Sequence, residues 1–164
     1  MAETTATAEL IKIAVIDDDA NVRNGLWWLL NHVIGLRCVG AYSSCAEFMA
    51  QSTLSPEVLL LDLALPGMSG LAGIPLILGK YPALRILMHS NFDDEEKILQ
   101  ARRAGAAGYI FKNASAPQLH DAILAVHRGE KIWPAGIESA STNATTFSFL
   151  RYLTQKLHAV FKLH

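Results

Sequence analysis

The sequence predicts an α/β fold built on a doubly wound, five-stranded parallel sheet with helices on both faces. Short apolar runs of β type alternate along the chain with longer segments whose apolar residues recur at helical spacing. The apolar runs are hydrophobic at almost every position, as expected for strands that are buried on both faces. The chain has 164 residues, 51% of them hydrophobic, which is enough for one domain with its own core.

The predicted strands are short, and each is separated from the next by room for a helix. They are residues 12–17 (KIAVID), 36–42 (LRCVGAY), 58–63 (VLLLDL), 85–90 (RILMHS) and 107–111 (AGYIF). The third strand contains one aspartate, Asp62, among leucines. Because burying an unpaired carboxylate is costly, we expect Asp62 to lie where this strand meets water.

The first three helices are marked by different signals. Residues 20–33 carry a single apolar stripe, formed by Val22, Leu26, Leu29, Leu30 and Val33. Ser44 and Glu47 have the spacing of a capping box, which predicts a helix start. The third helix contains Pro75 between two glycines. Because proline removes a hydrogen bond inside a helix, we expect this helix to be short or kinked.

The last two helices have clear ends. Residues 93–106 (DDEEKILQARRAGA) place acids at the helix start and arginines near its end, as the helix dipole favours. The segment after the fifth strand begins with a second capping box, Ser115 to Gln118, and stops at Gly129. A helix therefore follows every predicted strand, which is the pattern of a parallel sheet.

Composition and charge argue against several functional classes. The net charge is −1, so no overall field recruits nucleic acid or an anionic membrane. The N-terminal segment has no feature of a signal peptide, and no stretch reaches the roughly 18 apolar residues of a membrane span. We therefore expect a cytoplasmic protein without a membrane span, in which Cys38 and Cys45 are reduced thiols. The six histidines show no metal-binding spacing.

Three acidic residues follow two strands that should be neighbours. With strand order 2-1-3-4-5, the first and third strands lie side by side at the point where the order reverses. Asp17 and Asp18 lie at the end of the first strand and Asp62 near the end of the third. Three converging carboxylates repel one another unless a cation compensates, and Mg²⁺ prefers such oxygen ligands. The sequence therefore predicts a Mg²⁺ site in a shallow cleft.

Two more polar residues end strands at the same edge of the sheet. Ser90 ends the fourth strand, and Lys112 follows the fifth. A hydroxyl, an ammonium and Mg²⁺ around one carboxylate form a site for phosphoryl transfer with Asp62 as the nucleophile. Each residue alone has an ordinary explanation as a solvated strand end, but the combination favours a phosphoryl site.

The sequence resembles the receiver domain of bacterial response regulators, most closely the NarL/FixJ (LuxR-type) family. The resemblance lies in the motifs VIDDDANVRNGL, LLLDLALPGMSG, MHSNFDDEE, RRAGAAGYIFK and GEKIWP. Their spacings agree as well, with 45 residues from Asp17 to Asp62, 28 from Asp62 to Ser90 and 50 from Asp62 to Lys112. The resemblance implies a flavodoxin-like fold over residues 10–134.

The resemblance also implies a signalling domain rather than an enzyme. Asp62 would accept a phosphoryl group from a sensor histidine kinase. Asp17, Asp18 and Asp62 would hold Mg²⁺ together with the backbone carbonyl of Ala64.

Further residues are implied as a switch. Ser90 would swing toward the phosphate, Tyr109 would follow inward, and Lys112 would contact a phosphate oxygen. Asn91 stands where the family usually has a smaller residue, often alanine, and we expect it to narrow the phosphoryl pocket.

Other functional classes fit less well. A nucleotide site at residues 67–73 (GMSGLAG) lacks both the GxGxxG pattern and a following GK[ST]. A hydrolase of the haloacid dehalogenase type would have a second aspartate two residues after Asp62, where Ala64 stands. A phosphorylation-independent pseudo-receiver, which signals through protein contacts alone, stays open as an alternative.

Segments outside the receiver-like region are expected to differ in structure. We predict a disordered N-terminal tail (1–9), a linker (135–145) and an additional C-terminal amphipathic helix (146–164). NarL/FixJ-type regulators carry a DNA-binding helix-turn-helix at this end, and no segment here resembles one. We therefore expect either a receiver-only regulator or an N-terminal fragment of a helix-turn-helix transcription regulator, with DNA binding only if an output domain exists.

Two adjacent tryptophans indicate a contact surface. At 100° per residue, Trp28 points nearly opposite the apolar stripe of the first helix, and Trp27 lies at its flank. Tryptophan is enriched in binding hot spots. We expect this surface to be covered by a partner, by the C-terminal segment or by a second copy in a homodimer.

Overall fold

A computed structural model describes residues 9–53 and 55–137 of the chain. Its strands are β1 (Ile11–Ile16), β2 (Leu36–Tyr42), β3 (Val58–Leu61), β4 (Arg85–Ser90) and β5 (Gly108–Phe111). Its helices are α1 (Ala20–His32), α2 (Cys45–Met49), α3 (Gly70–Lys80), α4 (Glu95–Ala104) and α5 (Ala116–His127). The predicted C-terminal helix, almost all of the predicted N-terminal tail and most of the linker lie outside the described residues.

The strands form one parallel sheet in the order β2-β1-β3-β4-β5. In its centre, Ile13 of β1 is in register with Val58 of β3, and Val58 is in register with Arg85 of β4. Helices cover both faces, so the predicted doubly wound α/β fold and its strand order are confirmed. The carboxyl ends of β1 and β3 are neighbours, which is the arrangement that places ligands at this edge.

The core has one layer on each face of the sheet. Side chains of α2, α3 and α4 pack with Leu59 and Leu61 on one face. Side chains of α1 and α5 pack with Val58 and Leu60 on the other. All four residues of β3 are therefore buried, which explains why its sequence is an unbroken apolar run.

Capping explains where several helices begin. Ser115 and Gln118 form the predicted reciprocal capping box at α5. At α2 the box is only half formed, because Ser44 accepts from the Glu47 amide but the Glu47 carboxylate accepts from Ser43. The prediction of a helix start is correct there, although the partner of the glutamate differs.

Helix α3 continues through its proline. It spans 11 residues from Gly70 to Lys80 with Pro75 inside, so the proline does not end the helix, and the expected kink stays a prediction. Pro75 is exposed, while Ile74 and Ile77 are buried. Burial of the opposite side offsets the missing hydrogen bond, since packing provides most of the stability of helices in proteins.

The chain after α5 folds back along the edge of the sheet. Ile132 pairs with Gly108 of β5 in a parallel bridge, and the Tyr109 amide donates to its carbonyl at 2.8 Å. Trp133 and Ile137 are buried in the core layer that contains α4. Arg102 Nη1 of α4 donates to the Ile137 carbonyl at 2.7 Å. The chain therefore passes from the α5 face, around β5, to the α4 face.

Both cysteines are free and buried, in agreement with the expectation of reduced thiols. Burial raises the pKa of the Cys38 thiol to about 11. None of the helices in the described part of the chain is long and apolar enough to cross a membrane.

Candidate functional site

Three carboxylates meet at the carboxyl ends of β1 and β3. Asp17 and Asp18 directly follow β1, and Asp62 directly follows β3. Asp62 is tied to β1 because its amide donates to the Ile16 carbonyl at 2.9 Å. One oxygen from each carboxylate lies within 4.8 Å of the others. The predicted convergence is thus present in the geometry, with Asp18 exposed and the other two carboxylates buried.

Lys112 joins the two buried carboxylates. Its Nζ lies 2.6 Å from Asp17 Oδ2 and 3.1 Å from Asp62 Oδ2. Burial by itself lowers the pKa of the ammonium, but the two carboxylates outweigh it and hold the pKa above its ordinary value. The lysine therefore stays charged. The ammonium compensates the charge of Asp62, which is why a carboxylate that is only 4% exposed can follow the leucine-rich strand β3.

The site has more negative than positive charge. Three carboxylates surround one ammonium, which leaves an excess of two negative charges if all are ionised. Asp17 Oδ2 is fully buried and has no well-aligned hydrogen bond among the described residues, despite its ion pair with Lys112. A hard divalent cation suits such a set of carboxylate oxygens. The residues present therefore fit Mg²⁺.

Arg23 of α1 holds the loop that carries the acid pair. Its Nη1 donates to the carbonyl oxygens of Asp17 and Asp18 at 2.7 and 2.8 Å. Asp19 accepts from the Asn21 amide as the N-cap of α1, as the sequence suggests for an acid that is not a ligand. Sequence reasoning missed Arg23, because nothing in its position after a helix start signals that it reaches back to two carbonyls.

Gly70 lets α3 approach the loop after β3. Its amide donates to the Leu63 carbonyl at 3.0 Å. A β-carbon at this position would overlap with the carbonyl oxygen of Asp62 and lie 3.1 Å from the Leu63 Cα. Only glycine fits this contact without a shift of the backbone next to Asp62. The sequence shows a glycine after Ser69 but not the close approach that requires it.

Ser90 ends β4, and Tyr109 lies on the neighbouring strand β5, in register with Met88. Ser90 is fully buried, and its backbone carbonyl accepts from the Lys112 amide at 2.9 Å. The Tyr109 hydroxyl points inward and donates to the Phe92 carbonyl at 2.8 Å. Burial raises the pKa of this hydroxyl. Asn91 is exposed beside Ser90.

The residues around Asp62 and Ser90 also include two apolar ones. Ala64 is exposed, and its amide donates to Asp62 Oδ1 at 3.3 Å. Phe92 is 40% exposed, with Lys97 Nζ 4.2 Å from its ring centroid. Neither side chain can orient a water molecule by hydrogen bonding.

Trp27 and Trp28 lie on α1 and are not part of this cluster. They are 46% and 62% exposed. Trp28 stacks on His32, with ring centroids 4.4 Å apart. The predicted partner contact of these tryptophans stays a prediction.

The family of this chain follows from its similarity to known proteins. The chain matches the response regulator receiver domain family over residues 13–124. The chain belongs to this family. Receiver domains of this kind are the signalling modules of two-component response regulators, so the resemblance found in the sequence motifs is confirmed.

Relatives of this receiver domain are found among NarL- and LuxR-type regulators. Oxygen regulatory protein NreC of Staphylococcus aureus is 39% identical over 122 residues, covering 73% of this chain and 56% of NreC. This chain thus spans about half the length of the curated relatives it matches.

Solved structures share the fold as well. A LuxR-family response regulator from Aurantimonas sp. SI85-9A1 is 28% identical with a TM-score of 0.72, covering 79% of this chain and 93% of that one. The signal receiver domain of NarL from Mycobacterium tuberculosis is 28% identical with a TM-score of 0.68, covering 74% and 99%.

Proposed function

We propose that this receiver domain accepts a phosphoryl group on Asp62 from the phosphohistidine of a sensor histidine kinase, in a Mg²⁺-dependent reaction. The observation that supports this most strongly is the bridge from Lys112 Nζ to the carboxylates of Asp17 and Asp62. The three carboxylates and the ammonium lie at the carboxyl ends of the strands. They provide the nucleophile, ligands for a cation and a positive charge for the phosphoryl group.

Each residue has a definite part in this reaction. A carboxylate oxygen of Asp62 forms the new P–O bond as the P–N bond of the donor breaks. Asp17, Asp18, Asp62 and the Ala64 carbonyl would hold Mg²⁺, which neutralises charge on the transferred group when it is bound. Lys112 and the Ser90 hydroxyl donate hydrogen bonds to phosphate oxygens.

The phosphorylated domain acts through a protein–protein surface. Ser90, Asn91 and Tyr109 connect the phosphoryl site to the β4–α4 loop, since the Tyr109 hydroxyl already bonds to the Phe92 carbonyl of that loop. A change at Ser90 therefore reaches the outer surface through contacts that exist in the domain. In this proposal the receiver consists of residues 10–134. It operates in the cytoplasm and forms a homodimer.

Mass spectrometry after incubation with acetyl phosphate and Mg²⁺ tests the proposal. The wild-type chain should gain one phosphoryl group, and Asp62→Asn should gain none. Asp19→Asn is the matched control, since Asp19 neighbours the acid cluster but caps α1, and asparagine is an equally good cap. Its labelling should equal that of the wild type.

Two outcomes would contradict this assignment. Labelling of Asp62→Asn at the wild-type level would show that another residue is the acceptor. A wild-type chain that stays unlabelled with Mg²⁺ and acetyl phosphate, yet still binds a partner protein, would favour the pseudo-receiver alternative.

A further inference from the structure

The outer face of α3 is apolar from end to end. The helix has no polar side chain between its N-cap Ser69 and Lys80. Its buried residues Gly70, Gly73, Ile74 and Ile77 lie on one side. At 100° per residue, the residues opposite them form what we term the α3 outer face. These residues are Ala72, Pro75, Leu76 and Gly79, all of them exposed. Met68, which directly precedes the N-cap, is exposed as well.

This composition is unusual for the outside of a surface helix. Helix α4, which contacts α3, exposes Glu95, Glu96, Gln100 and Arg103 instead. Leu76 on the α3 outer face is 51% exposed, and Met68, just before the helix, is 38% exposed. An amphipathic surface helix normally places charged or polar residues on its solvent side. The α3 outer face therefore has the chemistry of a contact surface.

The described chain after α5 ends on the side of the sheet that carries α3. Ile137, the last described residue, is buried in the core layer of α3 and α4. Its carbonyl is held by Arg102 in the last turn of α4. The sequence continues for 27 residues beyond this point. The described part of the chain thus ends beside α4, on the sheet face that also carries α3.

The sequence of residues 146–164 matches an apolar helix face. At helical spacing its large apolar residues fall on one stripe: Phe149, Leu150, Leu153, Leu157, Val160 and Phe161. We propose that residues 146–164 dock as an amphipathic helix on the α3 outer face of the same molecule. Six large apolar side chains and the apolar face of α3 are then removed from water together.

Length and charge agree with this arrangement. Residues 138–148 can span roughly 36 Å when extended, whereas packed helices lie about 8–10 Å apart. The chain has a net charge of −1 and the segment contributes +3 from Arg151, Lys156 and Lys162, so the rest carries −4. Four consecutive exposed acids, residues 93–96, lie at the start of the neighbouring α4.

The tryptophans of α1 are a less suitable docking place. Helix α1 packs on the opposite face of the sheet, with α5. The segment would have to return around β5 to reach Trp28. Attachment beside α4 gives the α3 outer face a higher effective concentration of the segment than any second copy provides at ordinary concentration.

Hydrogen–deuterium exchange of the full-length chain tests the docking. At a concentration where light scattering shows a monomer, the amides of residues 149–161 should be protected. Tryptic cleavage after Arg151 and Lys156 should be slow. Leu76→Asp should remove the protection and speed cleavage by about tenfold or more, since it puts a charge in the contact.

Ile34→Asp is the matched control, because Ile34 is 95% exposed near the end of α1. This variant should leave both measurements at wild-type values. Unprotected amides in the wild-type monomer would overturn the proposal, as would equal effects of the two substitutions. Protection that disappears on dilution would assign the contact to a second copy. Protection that arises only with phosphatidylglycerol vesicles would assign it to lipid, and either result would also overturn the proposal.

Discussion

Arg23 shows how one side chain outside the acid cluster fixes its geometry. It bonds to the backbone carbonyls of Asp17 and Asp18 and leaves their carboxylates free for other contacts. We expect Arg23→Ala to loosen this loop and to raise the Mg²⁺ concentration needed for half-maximal labelling. Loss of an outer-shell contact typically weakens metal binding about 10- to 100-fold.

The control for this measurement is Arg103→Ala. Arg103 makes an exposed ion pair with Glu96 at 3.6 Å, and such pairs contribute little to stability. The Mg²⁺ dependence of this variant should match that of the wild type. If Arg23→Ala had the same Mg²⁺ dependence as well, the bonds to the two carbonyls would have no role in metal binding.

His89 makes the stability of the domain depend on pH. Its side chain is 7% exposed in β4. Burial, followed by the charge of Lys112, lowers the pKa of the imidazole from 6.5 to about 4, although Asp17 acts in the opposite direction. Between these values the unfolded chain binds a proton that the folded domain does not. The free energy of unfolding therefore loses nothing to His89 above pH 6.5, and it falls as the pH decreases from 6.5 toward 4.

Protonation of this histidine should lower the free energy of unfolding by on the order of 3 kcal/mol in total. About 2 kcal/mol of this decrease should occur by pH 5. Urea unfolding at pH 7.5 and at pH 5 measures the difference. His89→Met should abolish this part of the pH dependence, while His120→Gln should retain it. Equal losses in the wild type and His89→Met would show that other groups cause the acid sensitivity.

The contact between α3 and the β3–α3 loop depends on the absence of a side chain. Gly70→Ala should push the Asp62 backbone away from α3, destabilise the domain by about 1–3 kcal/mol and reduce labelling of Asp62. Gly79→Ala provides a comparison within the same helix, because a β-carbon there meets no atom of the described residues within 4 Å. It should stabilise the domain by up to about 1 kcal/mol.

Thermal unfolding and phosphoryl labelling of both variants measure these effects. The critical result is that Gly70→Ala lowers stability and labelling more than Gly79→Ala does. If Gly79→Ala were as harmful as Gly70→Ala, helix α3 would be intolerant of alanine for a reason other than the overlap with Asp62.

The sequence predicts the elements themselves better than their contacts. Strand positions follow from apolar runs, but the expectation that Asp62 lies where its strand meets water is wrong, since Asp62 is 4% exposed and is paired with Lys112 instead. The parallel pairing of Ile132 with Gly108 has no local signal, since it joins segments on either side of α5. The same is true of Arg23, whose reach depends on the turn that follows β1.

The C-terminal segment and the phosphoryl site should be separable. Deleting residues 146–164 should expose the α3 outer face and increase binding of a hydrophobic dye. Leu76→Asp in the shortened chain should reduce that binding. Asp62 should still be labelled, because the acids, Ser90 and Lys112 all precede the deleted segment. Unchanged dye binding after the deletion would mean that the segment covers no apolar surface.

The bridge at Ile132 also hinders pairing of β5 with strands of other molecules. An open edge strand offers unpaired amides and carbonyls to other chains and so promotes aggregation. At one edge of the sheet, Ile132 pairs with the Tyr109 amide and the Ala107 carbonyl at the start of β5. At the other, the register between β1 and β2 shifts after Ile13, which interrupts a continuous template. A proteolytic cut just after α5 would uncover the β5 edge and favour the growth of intermolecular sheets.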